Sequence, residues 1–173
     1  MDSNFIARCN KRHHWEDICY FKQNGIKEYD WGGISSFEKP NGIDDFWLEN
    51  SQMDTAKRIG DPLQLVYAGR IDANKNIATI QAAMKILAQR GCEAHLTVVG
   101  KVIDNVVYRH ISADSNTSCL PPRNKEELIN IYRANDIFVM PSFTESFGLV
   151  YAEAISQGLP VVYTIGQGFD RQF

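Results

Sequence analysis

The segment 136–164 constrains the fold of this chain more than any other. Two apolar, strand-like runs, 136–140 and 160–164, enclose a loop and a stretch with helical character at 147–157. The order strand, loop, helix, strand is a βαβ unit, and such units build parallel sheets. The loop that follows the first strand therefore opens on the crevice at the carboxyl ends of the strands, where ligands bind in this fold class.

Two glutamates lie around the start of the predicted helix. Glu145 precedes it, and Glu153 lies about two turns inside it. Unpaired backbone N–H groups at a helix N-terminus attract anions, so we expect the N–H groups of Phe147 and Gly148 to contact an anionic ligand. The alternative is structural, because the helix dipole favours a glutamate near a helix start whatever the function.

A second loop supplies the positive charge that an anion site needs. A buried-strand pattern over 63–68 is followed by this loop, and then by apolar residues whose spacing predicts a helix over 76–90. The loop contains Arg70, whose planar guanidinium can grip a phosphate with two hydrogen bonds, and Lys75, a flexible point charge. Both loops follow parallel strands, so we expect them to face one crevice. Solvated loop charges are the alternative interpretation.

The rest of the chain alternates between strands and helices. Strands are predicted over 94–100, 118–120, 136–140 and 160–164, and a further helix over 124–133. This alternation predicts an α/β fold with a doubly wound, Rossmann-like parallel sheet. The segment 101–118 fits either a helix or a strand and loop, and 40–61 is interpreted as a connector.

Several polar residues have more than one possible role. Asn74 or Asn76 can cap the helix over 76–90. Arg123, just before a predicted helix, is either a ligand contact or a surface arginine. His95 lies within a predicted strand and fits a packed or edge histidine better than a catalytic base.

Composition excludes several classes of function. The 173 residues are 44% hydrophobic with a net charge of −3, which fits a globular domain and not a general nucleic-acid surface. No run is apolar enough to cross a bilayer and no secretory signal is visible, so a cytoplasmic location is expected.

The four cysteines form no CxxC pair, which favours reduced thiols. A zinc site could be drawn from Cys9, Cys19, His13 and His14, but its spacing matches no common structural site, and no metal is expected.

Four stretches together resemble glycosyltransferase family 4, the group 1 glycosyltransferases of the GT-B fold. They are PNGID at 40–44, YAGR at 67–70 with KN at 75–76, ANDIFVMPS at 134–142, and the E-x7-E motif that runs from ESFG at 145–148 to GLPVV at 158–162. The resemblance covers 37–164. It implies one GT-B half-domain, truncated at both ends: a nucleotide-sugar donor-binding domain over 40–173, preceded at 1–39 by a remnant of an N-terminal or interdomain segment.

The resemblance also implies roles for individual residues. Arg70 and Lys75 match the family's basic pair, which binds the diphosphate and takes part in catalysis. Glu145 matches a catalytic glutamate beside the donor sugar. Glu153 matches the glutamate that accepts hydrogen bonds from the ribose. The remaining implied donor contacts are the backbone of Phe147 and Gly148, with Arg123 as a further candidate.

The implied activity is transfer of a sugar, with retention of anomeric configuration, from a UDP- or GDP-linked donor. The family generally needs no metal or other cofactor. The acceptor, a glycan or lipid, would be held by the missing N-terminal domain, so we expect the fragment alone to transfer little. Association with the inner face of the membrane would be at most peripheral.

The sequence leaves other classes of function open. A non-catalytic nucleotide-sugar-binding module and a related sugar-nucleotide epimerase or phosphorylase share the fold. A dehydrogenase is disfavoured, because Gly69 and Gly100 stand alone after their strands and no G-x-G-x-x-G occurs.

Overall fold

The computed structural model describes residues 43–52 and 60–168. The N-terminal segment 1–39 and the zinc site drawn from Cys9, Cys19, His13 and His14 lie outside the described residues. Cys92 and Cys119 are both free thiols, the first exposed and the second half-buried.

Strands and helices alternate along the described chain. In order they are α1 Asp45–Glu49, β1 Leu63–Ala68, a 3-10 turn Ala73–Lys75, α2 Ile77–Gln89, β2 Ala94–Val99, α3 Asn105–Ser112, β3 Thr117–Leu120, α4 Lys125–Ala134, β4 Ile137–Met140, α5 Leu149–Ser156 and β5 Val161–Tyr163. The strands form one sheet in the order β3-β2-β1-β4-β5, and every pairing is parallel. This confirms the predicted doubly wound, Rossmann-like α/β fold.

The sheet has a switch point between β1 and β4. The chain builds outward from β1 to β3 and then returns to the other side of β1. Helix α2 packs on β2 and α3 on β3, while α4 packs on β1 and α5 on β5. Right-handed crossovers place the first pair of helices on one face and the second pair on the other. The loops after β1 and β4 therefore border the same crevice.

A row of aromatic rings forms part of the core on the α4 and α5 face. Trp47, Tyr132, Phe138, Tyr151 and Tyr163 follow one another with ring centroids 5.7 to 5.9 Å apart. The first four are at most 2% exposed. Trp47 belongs to α1, so this short helix is part of the core, whereas the sequence predicts only a connector there.

Local signals explain most helix boundaries. The side chain of Asn124 caps α4 in a full capping box, and Asp104 caps α3, which shows that the ambiguous segment 101–118 contains a helix. Gly91, with φ of +80°, follows the last turn of α2. Helix α5 begins at Leu149, two residues later than predicted, because Gly148 adopts a left-handed conformation with φ of +66°.

The structure decides the predictions made for two polar residues, Asn76 and His95. Asn76 is the N-cap residue of α2, but its side chain makes no capping bond, so the predicted mechanism of capping is wrong. His95 lies half-buried on β2, where its Nε2 is 2.9 Å from Ser118 Oγ on β3. Across 43–52 and 60–168, the helices are all too short or too polar to cross a membrane.

Candidate functional site

A cleft of about 500 Å³ opens at the carboxyl ends of β1 and β4. Its lining includes five of the residues that the sequence predicts for the site: Arg70, Lys75, Glu145, Phe147 and Gly148. Apolar side chains, among them Leu128, Met140 and Val150, form much of the remaining wall. The switch point of the sheet thus gathers the predicted cations and the first glutamate into one concave surface.

The basic loop after β1 is fixed by hydrogen bonds to its own backbone. The buried hydroxyl of Tyr67 donates to the carbonyl of Arg70 at 2.5 Å. Burial raises the pKa of Tyr67, so this hydroxyl keeps its proton and remains a donor. Asp72 caps the following 3-10 turn by accepting from the Lys75 N–H at 3.2 Å. The turn directs Lys75 into the cleft.

Lys75 and Glu145 form the central contact of the site. The Nζ of Lys75 lies 2.5 Å from Oε2 of Glu145, although the two residues are 70 positions apart in the chain. Their side chains are only 11% and 15% exposed. An ion pair this far from water is sensitive to geometry, because each charge left alone there would be costly.

Arg70 provides the exposed charge at the mouth of the cleft. Its side chain is 66% exposed, and its Nε lies 3.5 Å from Oδ2 of Asp72. An exposed ion pair of this length contributes little to stability. The guanidinium can therefore turn toward an anion at small cost.

The start of α5 forms the wall opposite the basic loop. A side chain at Gly148 would place its Cβ 2.4 Å from the ring of Tyr151, so the close approach of the loop requires glycine. Tyr151 in turn donates its hydroxyl hydrogen to the carbonyl of Met140 at 2.7 Å, which ties α5 to the end of β4. In the first turn of α5, the Tyr151 N–H donates to the Gly148 carbonyl at 2.8 Å. A helix that begins at Leu149 provides no internal acceptor for the N–H groups of Leu149 and Val150.

Glu153 lies outside the lining of the cleft, one helical turn further along α5. Burial raises its pKa to about 7; the Lys125 ammonium opposes this shift and the Asp44 carboxylate adds to it. Among the described residues, its carboxylate has no hydrogen bond or ion pair. The neighbouring hydroxyl of Tyr132 is buried without a partner in the described part of the chain, and the Glu153 charge adds to the effect of burial in raising the pKa of Tyr132.

Arg123 is also outside the lining of the cleft. Its Nη1 lies 3.0 Å from Oε1 of Glu127, one turn along α4, in a partly exposed ion pair. The structure thus brings five predicted site residues into one cleft and leaves Arg123 and Glu153 beside it. The roles of all seven residues stay predictions.

Sequence reasoning missed the residues that join the two loops. The Nδ2 of Asn74 donates to the carbonyl of Thr144 at 2.8 Å, and the Nδ2 of Asn76 donates to that of Pro141 at 3.2 Å. Both asparagines look like helix caps in the sequence, because nothing in a local pattern shows a contact with a loop about 70 residues away. In the described ranges, no group of three or more His, Cys, Asp or Glu side chains could hold a metal ion.

A doubly wound parallel sheet with a cleft at its switch point defines a Rossmann-like α/β domain. The family model described as glycosyl transferases group 1 matches residues 50–173. The chain therefore belongs to the group 1 glycosyltransferase family, as the four sequence stretches predict.

The chain is also similar to individual glycosyltransferases, in sequence or in fold. A D-inositol 3-phosphate glycosyltransferase from Pseudarthrobacter chlorophenolicus is 39% identical over 115 residues, which cover 62% of this chain and 27% of the relative. The crystal structure of WaaG, a glycosyltransferase involved in lipopolysaccharide biosynthesis, has a TM-score of 0.52 and 26% identity over 64% of this chain and 31% of WaaG. The pneumococcal O-GlcNAc transferase GtfA, solved with UDP and GlcNAc, has a TM-score of 0.58 and 21% identity over 87% of this chain and 30% of GtfA. The chain thus spans less than a third of the length of these three proteins.

Proposed function

We propose that this chain is the donor-binding half of a retaining glycosyltransferase, which moves a sugar from a nucleotide-diphosphate sugar to a glycan or lipid acceptor. The observation that carries the proposal is the convergence of Arg70, Lys75, Glu145 and the start of α5 on one cleft. Two cations and a helix N-terminus suit a diphosphate, and the apolar wall suits the face of a base or sugar. The UDP bound in the GtfA structure supports the same class of donor.

The chemistry follows from where charge develops. Cleavage of the bond between sugar and phosphate leaves additional negative charge on the departing diphosphate. In our proposal Arg70, Lys75 and the N-terminus of α5 stabilise this charge, the role that a divalent metal fills in other folds. The departing phosphate helps to deprotonate the acceptor hydroxyl on the same face of the sugar, so the anomeric configuration is retained.

The proposed role of Glu145 begins with its ion pair. Before a donor binds, Glu145 neutralises Lys75 inside the cleft. We propose that the diphosphate replaces Glu145 as the partner of the ammonium. The released carboxylate then accepts hydrogen bonds from the donor sugar, while Glu153 accepts those of the ribose. Donor binding and positioning of the catalytic glutamate are thereby one event.

The acceptor belongs to a part of the enzyme that this chain does not represent. Because the chain spans less than a third of the relatives' length, we propose that a second domain holds the acceptor and that this chain alone binds donor with little transfer. The relatives that act on inositol phosphate or in lipopolysaccharide biosynthesis support a polyol, glycan or lipid-linked acceptor.

The test is calorimetric titration with UDP-glucose, GDP-mannose and ADP-glucose. We expect one of them to bind, and the Arg70→Ala/Lys75→Ala variant to lose a few kcal/mol of binding free energy, the size expected for charge-assisted hydrogen bonds. The matched control is Lys85→Ala/Arg90→Ala, which removes the same two charges from exposed positions on α2 and at its C-cap and should bind like the unaltered chain. Equal loss in both variants, or no binding by a chain that circular dichroism shows to be folded, contradicts the proposal.

A further inference from the structure

Asn74 connects the two loops of the cleft at three points. Its Nδ2 donates to the Thr144 carbonyl at 2.8 Å, and its Oδ1 accepts from the Thr144 N–H at 3.0 Å. Its backbone carbonyl accepts from the Phe143 N–H at 2.8 Å. The Asn74 side chain therefore pairs with both the N–H and the carbonyl of Thr144, as the backbone of a neighbouring β-strand would.

This connection lies directly beside the Lys75–Glu145 ion pair. Asn74 precedes Lys75, and Thr144 precedes Glu145, so the hydrogen bonds and the ion pair join consecutive residues of the same two loops. On the other side of Lys75, Asn76 donates to the Pro141 carbonyl at 3.2 Å. The lysine is thus enclosed by two asparagines that both hold the 141–145 segment.

We propose that Asn74 is a positioning residue for the diphosphate site, acting by holding the Glu145 loop at the distance from which Lys75 can serve either Glu145 or a phosphate. The inference rests on the proposed function, and it adds a residue that touches neither donor nor acceptor. A nearly buried ammonium tolerates little displacement, because water cannot compensate for a lost partner there. If this loop could move away, only a fraction of the molecules would have the geometry that binds a donor. The apparent affinity would then be reduced to that fraction of the intrinsic affinity.

The effect should be on binding more than on folding. Phe143 and Thr144 are exposed, so water can satisfy their backbone groups when Asn74 is shortened, and each lost bond has only a modest net effect on stability. In Asn74→Ala the backbone contact with Phe143 can persist, while both contacts with Thr144 are lost. Asn74→Asp keeps an acceptor for the Thr144 N–H but has no donor for its carbonyl, so its effect should be intermediate.

The first measurement is hydrogen–deuterium exchange of the ligand-free chain. We expect the peptide that contains residues 143–146 to exchange about tenfold faster in Asn74→Ala, because two hydrogen bonds that hold it are missing. The control is Asn130→Ala, which removes a hydrogen bond from the Asn130 side chain to the Glu126 carbonyl within α4, away from the cleft loops. Unchanged exchange at 143–146 overturns the inference, even if no nucleotide sugar binds.

The second measurement is a double-mutant cycle with the best-bound of UDP-glucose, GDP-mannose and ADP-glucose. We expect Asn74→Ala to weaken binding about tenfold in the unaltered chain and to have little further effect in a Lys75→Met background, since Asn74 acts through Lys75. A purely structural role predicts that the two losses add, and additive losses overturn the inference. Absence of binding by the unaltered chain would instead refute the proposed function, leaving the exchange experiment to decide on Asn74.

Discussion

At the scale of single residues, Glu153 contributes to the pH dependence of the domain's stability, because burial and two neighbouring charges shift its pKa. Its carboxyl group is half-buried on α5, and the loss of solvation raises its pKa to about 7. The opposing charge of Lys125 is partly cancelled, since Lys125 Nζ lies 2.5 Å from Oδ2 of Asp44. That contact, a hydrogen bond from Lys125, also lowers the pKa of Asp44. Because Lys125 is paired with Asp44, its positive charge offsets the raised pKa of Glu153 only in part.

The raised pKa predicts that the domain loses stability as the pH rises from about 4 to about 7, because the unfolded chain releases the Glu153 proton at a lower pH than the folded chain does. Its pKa in the unfolded chain is about 4.3, so the stabilisation is fully present below about pH 4 and is lost as the pH rises through 7. Glu153→Gln cannot ionise, so we expect this variant to be more stable than the unaltered chain at pH 8 and to lose this part of the pH dependence. Urea unfolding at pH 5.5 and pH 8 measures both effects.

The control for this prediction is Glu93→Gln, which neutralises an exposed glutamate just before β2. It should leave the difference between the two pH values close to that of the unaltered chain. If Glu153→Gln shows the same pH dependence as the unaltered chain, the ionisation of Glu153 is not coupled to folding.

At the scale of elements, α1 depends on a single buried side chain. Trp47 is 1% exposed and contacts Tyr132, with 5.8 Å between ring centroids. Two hydrogen bonds hold the residues after the helix: Arg133 Nη2 to the Asn50 carbonyl at 2.7 Å, and the Gln52 N–H to the Ser156 carbonyl at 2.8 Å. We expect Trp47→Ala to reduce the free energy of unfolding by about 3–5 kcal/mol, as other large-to-small core changes do.

Phe46→Ala provides the comparison within the same helix. Phe46 is only partly buried, so its truncation should reduce the free energy of unfolding by clearly less than that of Trp47. Urea unfolding of both variants gives the two values. Similar small losses would mean that α1 does not contribute to the folded core.

The strands and long helices could be predicted from sequence, because their apolar residues repeat over enough positions to reveal a period. Helix α1 could not, since five residues span little more than one turn and give no period. The start of α5 depends on the left-handed backbone of Gly148, which ESFG does not distinguish from an ordinary first turn. Short elements are determined by the partners they pack against, and these are distant in sequence.

At the scale of the whole molecule, the topology explains how much of the site was predictable. Parallel strands send their following loops to one edge, so the approach of Arg70 and Lys75 to Glu145 follows from the order of the elements alone. The pairing of Lys75 with Glu145 and the contacts of Asn74 depend on side-chain geometry across 70 residues of sequence, which no local pattern contains. Family resemblance supplied roles for residues, but not these contacts.

Under the proposed function, the same topology couples donor binding to folding. The cleft is built from the ends of β1 and β4 together with α4 and α5, so it exists only when these elements have packed together. A ligand that binds only the folded chain, at a hundred times its dissociation constant, raises the free energy of unfolding by about 2.7 kcal/mol. For a chain of this size, we expect the best-bound nucleotide sugar to raise the unfolding temperature by about 5–10 °C.

Two lysine variants assign this stabilisation to the cleft. At the same ligand concentration, Lys75→Met should lose most of the temperature shift, because the diphosphate then lacks its buried cation. Lys85→Met removes the same charge from α2, near the amino-terminal ends of the strands, where Lys85 lies beside Ala94 at the start of β2. This variant should keep the full temperature shift. Thermal unfolding followed by circular dichroism, with and without ligand, gives both values. If the shift survives in Lys75→Met and disappears in Lys85→Met, the ligand binds near the amino-terminal ends of the strands, and the switch-point cleft is not the donor site.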